Sequence, residues 1–280
     1  MFQAKLLGIV MTALLLVGAV AGCSDSGQKP TEGKGPSELK GTITIAGSTS
    51  VQPLSEELAR AFKEKHPQVD INIAGGGSGA GIKAAQEGTA EIGASSRDLK
   101  PDEEGTLNKT IIAKDGIAIV VHPKNSVNEL TVEQTRKIFA GEITNWEDVG
   151  GKSAAINLFT REEGSGTRDA FQEMVMGKDT KISGNASVLN ATGALRTAVA
   201  GDINGIGYIS LGSLDKSVKA LKIDGVEPSG ATILDGTYKI SRPFLYLTKG
   251  EPDGIVKAYL DFVLSSEGQK IVAEKFIPVK

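Results

Sequence analysis

Apolar residues along this chain fall into short runs that alternate between two periods, separated by turns rich in Gly, Ser and Thr. Thr42-Ile43-Thr44-Ile45 alternates and predicts a strand. Val51, Leu54, Leu58, Ala61 and Phe62 then recur at helical spacing, with Pro53 in the first turn, where it is tolerated, and Pro67 beyond the end. Val69-Asp70-Ile71-Asn72-Ile73 predicts the next strand. It runs into Gly75-Gly76-Gly77-Ser78-Gly79-Ala80-Gly81 and a helix through Ile82, Ala85 and Gln86. Glu91-Ile92-Gly93-Ala94 is a further short strand, followed by a turn at Ser95-Ser96-Arg97-Asp98.

The same alternation continues. Residues 115–123 form a strongly apolar strand, and Thr131-Val132-Glu133-Gln134 introduces a helix through Ile138 and Phe139. The only Trp, Trp146, anchors a turn over 145–151, and residues 154–159 read as a buried strand. Thr192-Gly193-Ala194-Leu195 starts a helix, residues 205–210 form a strand, and Phe244-Leu245-Tyr246-Leu247 extends an apolar stretch that begins at Tyr238. A single helix is predicted from Ile255 to Glu274. Strands alternating with helices imply an α/β fold with largely parallel sheets, in which ligands bind at the C-terminal ends of strands, where these turns lie. The runs at 115–123 and 238–248 read as two crossings between lobes. One lobe is then discontinuous, residues 41–118 plus 242–280, and the other is residues 119–241.

The first residues stand apart. Lys5 precedes an apolar run from Leu6 to Val17, which has the form of a signal peptide, residues 1–22. Val20-Ala21-Gly22-Cys23 resembles a bacterial lipobox, which implies cleavage before Cys23 and lipidation of its sulfur. A transmembrane helix is the alternative, since the run approaches spanning length. Cys23 is the only cysteine, so the folded part has none for disulfides, metal ligation or nucleophilic catalysis. Lipid would hold the chain to a bilayer surface while the folded part stays in water. Residues 23–40 carry almost no apolar content and read as a flexible tether. The net charge of the 280-residue chain is −3, and cleavage removes one cation, Lys5, and no acid. No basic stripe points to nucleic acid.

The candidate chemistry concentrates in Arg161-Glu162-Glu163-Gly164-Ser165-Gly166-Thr167-Arg168, between an apolar run and an amphipathic one. The first amides of a helix lack internal partners and carry partial positive charge. Ser165, Gly166 and Thr167 add free amides and hydroxyls there, and Arg161 adds a forked cationic donor. Together they describe a site for a small oxyanion. The plainer reading is an N-cap with Arg161 paired to Glu163 on the surface. With a slightly acidic chain, such a site must work through local hydrogen bonds rather than a general positive field.

Six motifs occur in order: Gly47-Ser48-Thr49-Ser50, Gly77-Ser78-Gly79-Ala80-Gly81, Gly93-Ala94-Ser95-Ser96-Arg97, Leu130-Thr131-Val132-Glu133-Gln134, Ile143-Thr144-Asn145-Trp146, and Arg161 through Thr167. In these the chain resembles the phosphate-binding proteins of bacterial phosphate-specific ABC transporters, from about Gly41 to the C-terminus. The resemblance implies a two-lobed type II periplasmic-binding-protein fold whose α/β lobes close on one inorganic phosphate in the cleft between them. It implies partners in the transporter's permease and ATPase subunits; no cofactor is expected, and no His/Asp/Glu grouping has metal spacing. It assigns phosphate contacts to Thr49 and Ser50, to Ser78, and to Arg161, Ser165, Gly166 and Thr167, with Glu163 holding the arginine in place.

One position departs from the pattern. Some family members carry Asp where Ser96 stands, and that carboxylate accepts a hydrogen bond from protonated phosphate but repels fully ionised sulfate. Ser96 can accept without that repulsion, so rejection of sulfate is less secured. Arg97 and Asp98 are placed as supporting residues; Asp98 could serve in place of Ser96, pair with Arg97, or cap a following helix, the cap being favoured. Two other classes stay open: a receptor for another tetrahedral oxyanion (sulfate, molybdate, tungstate), and a phosphatase-like enzyme. The enzyme reading has little to build on. His66 precedes Pro67 at a helix end and His122 precedes Pro123 at a strand end, both structural positions, and no metal spacing or nucleophile elbow is convincing.

Overall fold

The computed structural model describes residues 39–279. The stretch read as a signal peptide, Cys23 and the tether up to residue 38 therefore lie outside the described residues. Among the described residues no helix is long and apolar enough to cross a membrane.

The first lobe opens with β1 (Gly41–Gly47), α1 (Gln52–Lys65), β2 (Val69–Gly75), α2 (Ser78–Glu87) and β3 (Ile92–Ser95). β1 runs parallel to both β2 and β3, with Ile43 opposite Ile71 and Ile45 opposite Ile73 and Ile92. Alternation places Ile43 and Ile45 on the face that α1 covers through Leu54, Leu58 and Phe62, all buried. The C-terminal elements return to this lobe: β11 (Ser241–Lys249), α7 (Gly254–Val263) and α8 (Ser266–Val272). Phe244, Tyr246, Tyr259 and Val263 complete its core. The single helix expected over 255–274 is two. Ser265 ends the first by donating its hydroxyl to Phe262 O at 2.6 Å and starts the second by accepting from Gly268 N at 3.2 Å.

β4 (Leu107–Val121) is one 15-residue strand, longer than the sequence pattern predicts. It places Ile112 and Ala113 in the first core and Ile117, Ile119 and Val121 in the second. The return crossing is as short: Ile240 belongs to the second core and Phe244 to the first. β11 pairs antiparallel along its whole length with residues 107–116 of β4, so the two crossings form one ribbon.

The second lobe contains β5 (Glu129–Leu130), α3 (Val132–Ala140), β6 (Asn157–Arg161), α4 (Gly166–Phe171), β7 (Ser187–Leu189), α5 (Thr192–Ala200), β8 (Gly205–Ser210), β9 (Lys219–Ala220), β10 (Lys222–Ile223) and α6 (Gly230–Leu234). Thr131 and Gln134 form a reciprocal capping box at α3. β6 starts later than the apolar run at 154–159 suggests, because Ala154 and Ala155 are taken up by the turn around Trp146. Phe171 stacks on Tyr208 at 4.1 Å, fixing α4 against β8.

A nine-stranded sheet runs through both lobes in the order β2-β1-β3-β11-β4-β8-β6-β7, with β9 on β4. It is parallel within β2-β1-β3 and within β8-β6-β7, and antiparallel at the central ribbon. The expectation of largely parallel sheets therefore holds inside each lobe and fails where the chain crosses.

Candidate functional site

The strand ends that face the other lobe carry the Ser/Thr turns. β1 ends at Gly47, where φ is +136° and a Cβ would lie 2.3 Å from Ala94 O and 2.9 Å from Gly81 Cα. Only glycine lets β1, β3 and α2 meet this closely. In the turn that follows, Ser48 Oγ accepts from the amides of Ser50 and Val51, so neither Thr49 nor Ser50 is spent on capping α1. Ser78 is the first residue of α2, and Ser96 immediately follows β3. In the second lobe β6 delivers Arg161. Gly164, at φ +82°, turns the chain, and Ser165 caps α4 by accepting from Arg168 N at 3.3 Å.

These segments meet. Arg161 is 2% exposed despite its charge. Its Nη2 donates to Thr49 Oγ1 at 3.1 Å and its Nη1 to Thr192 Oγ1 at 3.0 Å. Ser50 Oγ lies 2.8 Å from Thr167 Oγ1 and 2.9 Å from Thr192 Oγ1. Four hydroxyls from both lobes thus form one linked cluster, and the guanidinium donates to two of them, Thr49 and Thr192. A hydroxyl whose oxygen receives an N–H has its own hydrogen left to give, so Arg161 turns Thr49 and Thr192 into donors. Beside this cluster, Ser78 Oγ accepts from Ser96 N at 3.0 Å and lies 3.3 Å from Ser96 Oγ. Gly166 presses against both: a Cβ there would fall 2.2 Å from Ser78 Oγ and 2.8 Å from Ser96 Oγ. The lobes also bond through backbone, Gly79 N donating to Gly164 O at 2.9 Å.

Arg161, Arg242 and Arg97 are each paired with a carboxylate. Glu162 accepts from Arg161 Nε and Nη2, both at 2.8 Å. Arg242, on β11, donates through Nε and Nη2 to Asp115 Oδ2 at 3.2 and 3.1 Å, and through Nη1 to Ser96 Oγ at 3.3 Å. Burial pushes the Asp115 carboxyl up and the Arg242 guanidinium down, each opposed by the other's charge. Arg97 bonds Glu103 through both terminal nitrogens at 2.6 and 2.9 Å, and this holds Glu103 below the usual carboxylate range. Tyr208 braces the backbone of Arg161, accepting from its amide at 3.3 Å, and burial pushes its hydroxyl up to about 12. The cluster therefore offers oriented N–H and O–H dipoles around arginines whose charge is largely met by carboxylates. That arrangement suits a small, strongly hydrated anion, whose lost water must be replaced donor by donor.

Of the residues expected from sequence, Thr49, Ser50, Ser78, Ser96, Arg161, Ser165, Gly166 and Thr167 are brought together. Two supporting assignments are corrected. Glu162, not Glu163, holds Arg161: β6 ends at Arg161, so strand alternation no longer applies, and the turn at 163–164 leaves Glu163 exposed. Asp98 caps no helix, since irregular chain follows it. It is exposed, with its nearest cation Lys109 at 3.7 Å. Thr192 and Arg242 were not anticipated. A lone Thr at a helix start and a lone Arg in an apolar strand carry no local signal.

A family model described as a PBP superfamily domain matches residues 32–267. The Bacillus subtilis phosphate-binding protein PstS is 32% identical, with the match covering 97% of this chain and 92% of that protein. The chain belongs to the PstS family of phosphate-binding proteins, within the PBP superfamily. Among solved PstS-like structures, a phosphate ABC transporter substrate-binding protein from Clostridium perfringens, with bound phosphate, is 48% identical at a TM-score of 0.83. It covers 86% of this chain and 100% of its own. A phosphate transport receptor from Vibrio cholerae is 38% identical at a TM-score of 0.70, over 84% and 99% of the two chains. The two-lobed fold that the motifs implied is the fold of this family, and its members here are substrate-binding proteins of transporters, not enzymes.

Proposed function

We propose that this chain is an extracytoplasmic receptor that closes its lobes, residues 41–118 with 242–280 and residues 119–241, on one inorganic phosphate and delivers it to the permease and ATPase of an ABC transporter. The observation that carries this reading is the buried Arg161 with hydroxyls from both lobes converging on it. Thr49, Ser50, Ser78, Ser96, Arg161, Thr167 and Thr192 are the side chains assigned to the anion, with the amides of Ser165, Gly166 and Thr167. Each hydrogen bond to a charged group contributes roughly 1.5–3 kcal/mol. Six to ten of them exceed the roughly 8 kcal/mol of micromolar binding after the cost of ordering.

The anion's identity is tested by calorimetry with phosphate, arsenate and sulfate. No free carboxylate stands at Ser96, and Arg242 donates into the Ser96 oxygen. Phosphate is therefore expected to bind at micromolar affinity or better, with sulfate displacing it at molar excess. No heat with phosphate, or a preference for sulfate, overturns the assignment. The phosphatase alternative gains nothing from the fold: the His66 ring packs on Phe62 at 4.5 Å, and His122 Nδ1 accepts from Lys124 N at 3.0 Å.

The lipid anchor rests on the sequence at Val20-Ala21-Gly22-Cys23. Membrane attachment through acylated Cys23 is read by mass spectrometry of the mature N-terminus. The expected result is a diacylated or triacylated Cys23, and an unmodified N-terminus at any other residue refutes it.

A further inference from the structure

Outside the anion cluster, a second set of charges spans the two lobes. Arg97 follows Ser96 directly, and Asp169 lies two residues beyond Thr167 on α4. Arg97 Nε sits 2.8 Å from Asp169 Oδ2, and Lys100 Nζ sits 3.4 Å from the same oxygen. The Arg97 side chain is 7% exposed and the Asp169 side chain 27%. Glu103, on the Arg97 side of the cleft, accepts from both terminal nitrogens of Arg97 and from the amide of Lys100. It therefore presents the guanidinium edge to Asp169 as a preset fork. Arg97 Nε and Asp169 Oδ2 are the buried side-chain atoms without an aligned hydrogen bond among the described residues. The contact is one of charge at close range, with the N–H directed off the line.

We propose that Arg97, Lys100 and Asp169 form an inter-lobe clamp that sets how long the closed protein keeps its phosphate, without touching the anion. The inference rests on the receptor reading above. With the lobes together, the two cations meet the two carboxylates Glu103 and Asp169. With the lobes apart, Arg97 keeps Glu103, but the first lobe is left with one surplus positive charge and Asp169 stands alone. Closure thus gains an attraction that opening must break, and salt screens part of it because the Lys100 side chain is 56% exposed. Because Arg97 and Asp169 are one and two residues from Ser96 and Thr167, clamp and pocket form in one movement. Closure is a hinge motion biased by contacts on both sides, and such contacts act on release more than on encounter.

The test compares wild type with Asp169→Asn and Lys100→Ala, using calorimetry for affinity and a radiolabelled-phosphate chase for release. Asp169→Asn is expected to raise the release rate about tenfold with little change in the association rate, the pattern for truncating one partner of a buried charge pair. Lys100→Ala is expected to have a smaller effect in the same direction, and the combined variant less than the product of the two. The chloride dependence of release should flatten in Asp169→Asn. A release rate and salt dependence like wild type in Asp169→Asn overturn the clamp, including where the phosphate-free variant melts lower, since that marks a purely structural role in α4. Wild type failing to retain phosphate at all would instead strike the receptor reading, so the two failures are distinct.

Discussion

Arg161→Ala is expected to cost phosphate affinity on the order of a hundred- to several-thousand-fold, equivalent to about 3–5 kcal/mol. The size follows from what the guanidinium does besides carrying charge. It donates to Thr49 and Thr192 and so orients both hydroxyls toward the cleft, and it neutralises Glu162 through two bonds. Truncation removes a charged donor, frees two hydroxyls to turn away, and leaves the Glu162 carboxylate facing the anion. Like charges at that separation repel, which adds to the lost attraction. Lysine is a poor substitute, since a point charge cannot serve Thr49, Thr192 and Glu162 together. Calorimetry on the purified chain reads the affinity, and thermal melting of the phosphate-free protein separates lost binding from lost fold. Near wild-type affinity in a folded Arg161→Ala would remove this residue from the site and the receptor assignment with it.

Much of this site was legible because its parts announce themselves locally. Gly47-Ser48-Thr49-Ser50, Gly77-Ser78 and Gly164-Ser165-Gly166-Thr167 each combine glycine, which lets backbone approach, with short hydroxyl side chains after a strand. Those residues are the ones found face to face. What the sequence did not disclose depends on pairing at long range. Arg242 is a lone cation in an apolar strand, and its partner Asp115 lies 127 positions earlier. Only the antiparallel register that sets Arg242 opposite Asp115 joins them. Thr192 opens an ordinary helix, and its role comes from α5 being placed beside Arg161. The choice between Glu162 and Glu163 depends on which way the chain faces as it leaves β6, which composition does not encode. The long ribbon of β4 and β11 escaped for a related reason: the polar residues Lys109, Thr110, Lys114 and Asp115 interrupt its apolar run, although backbone pairing is indifferent to them.

The Asp115–Arg242 pair is where a substitution should damage the fold itself. Asp115 is 1% exposed and Arg242 is 5%. Both sit where the chain crosses between lobes, and Ser210 of β8 adds a hydrogen bond to Asp115 Oδ1 at 2.9 Å. Three strands are therefore pinned at one carboxylate. Asp115→Asn keeps the shape and removes the charge, so Arg242 is left buried without its counter-ion. The expected loss is about 3–5 kcal/mol, a large share of the roughly 5–15 kcal/mol that holds a typical domain folded. Urea unfolding should show the midpoint fall with little change in slope. The double variant Asp115→Leu with Arg242→Met tests the cause, because removing both charges avoids the stranded cation and should recover most of the stability. It should not restore full phosphate affinity, since Ser96 loses the donor that orients its hydroxyl. If Asp115→Asn instead unfolds at the wild-type midpoint, Arg242 is not dependent on Asp115, and the crossing is held by apolar packing around Ile117 and Phe244 alone.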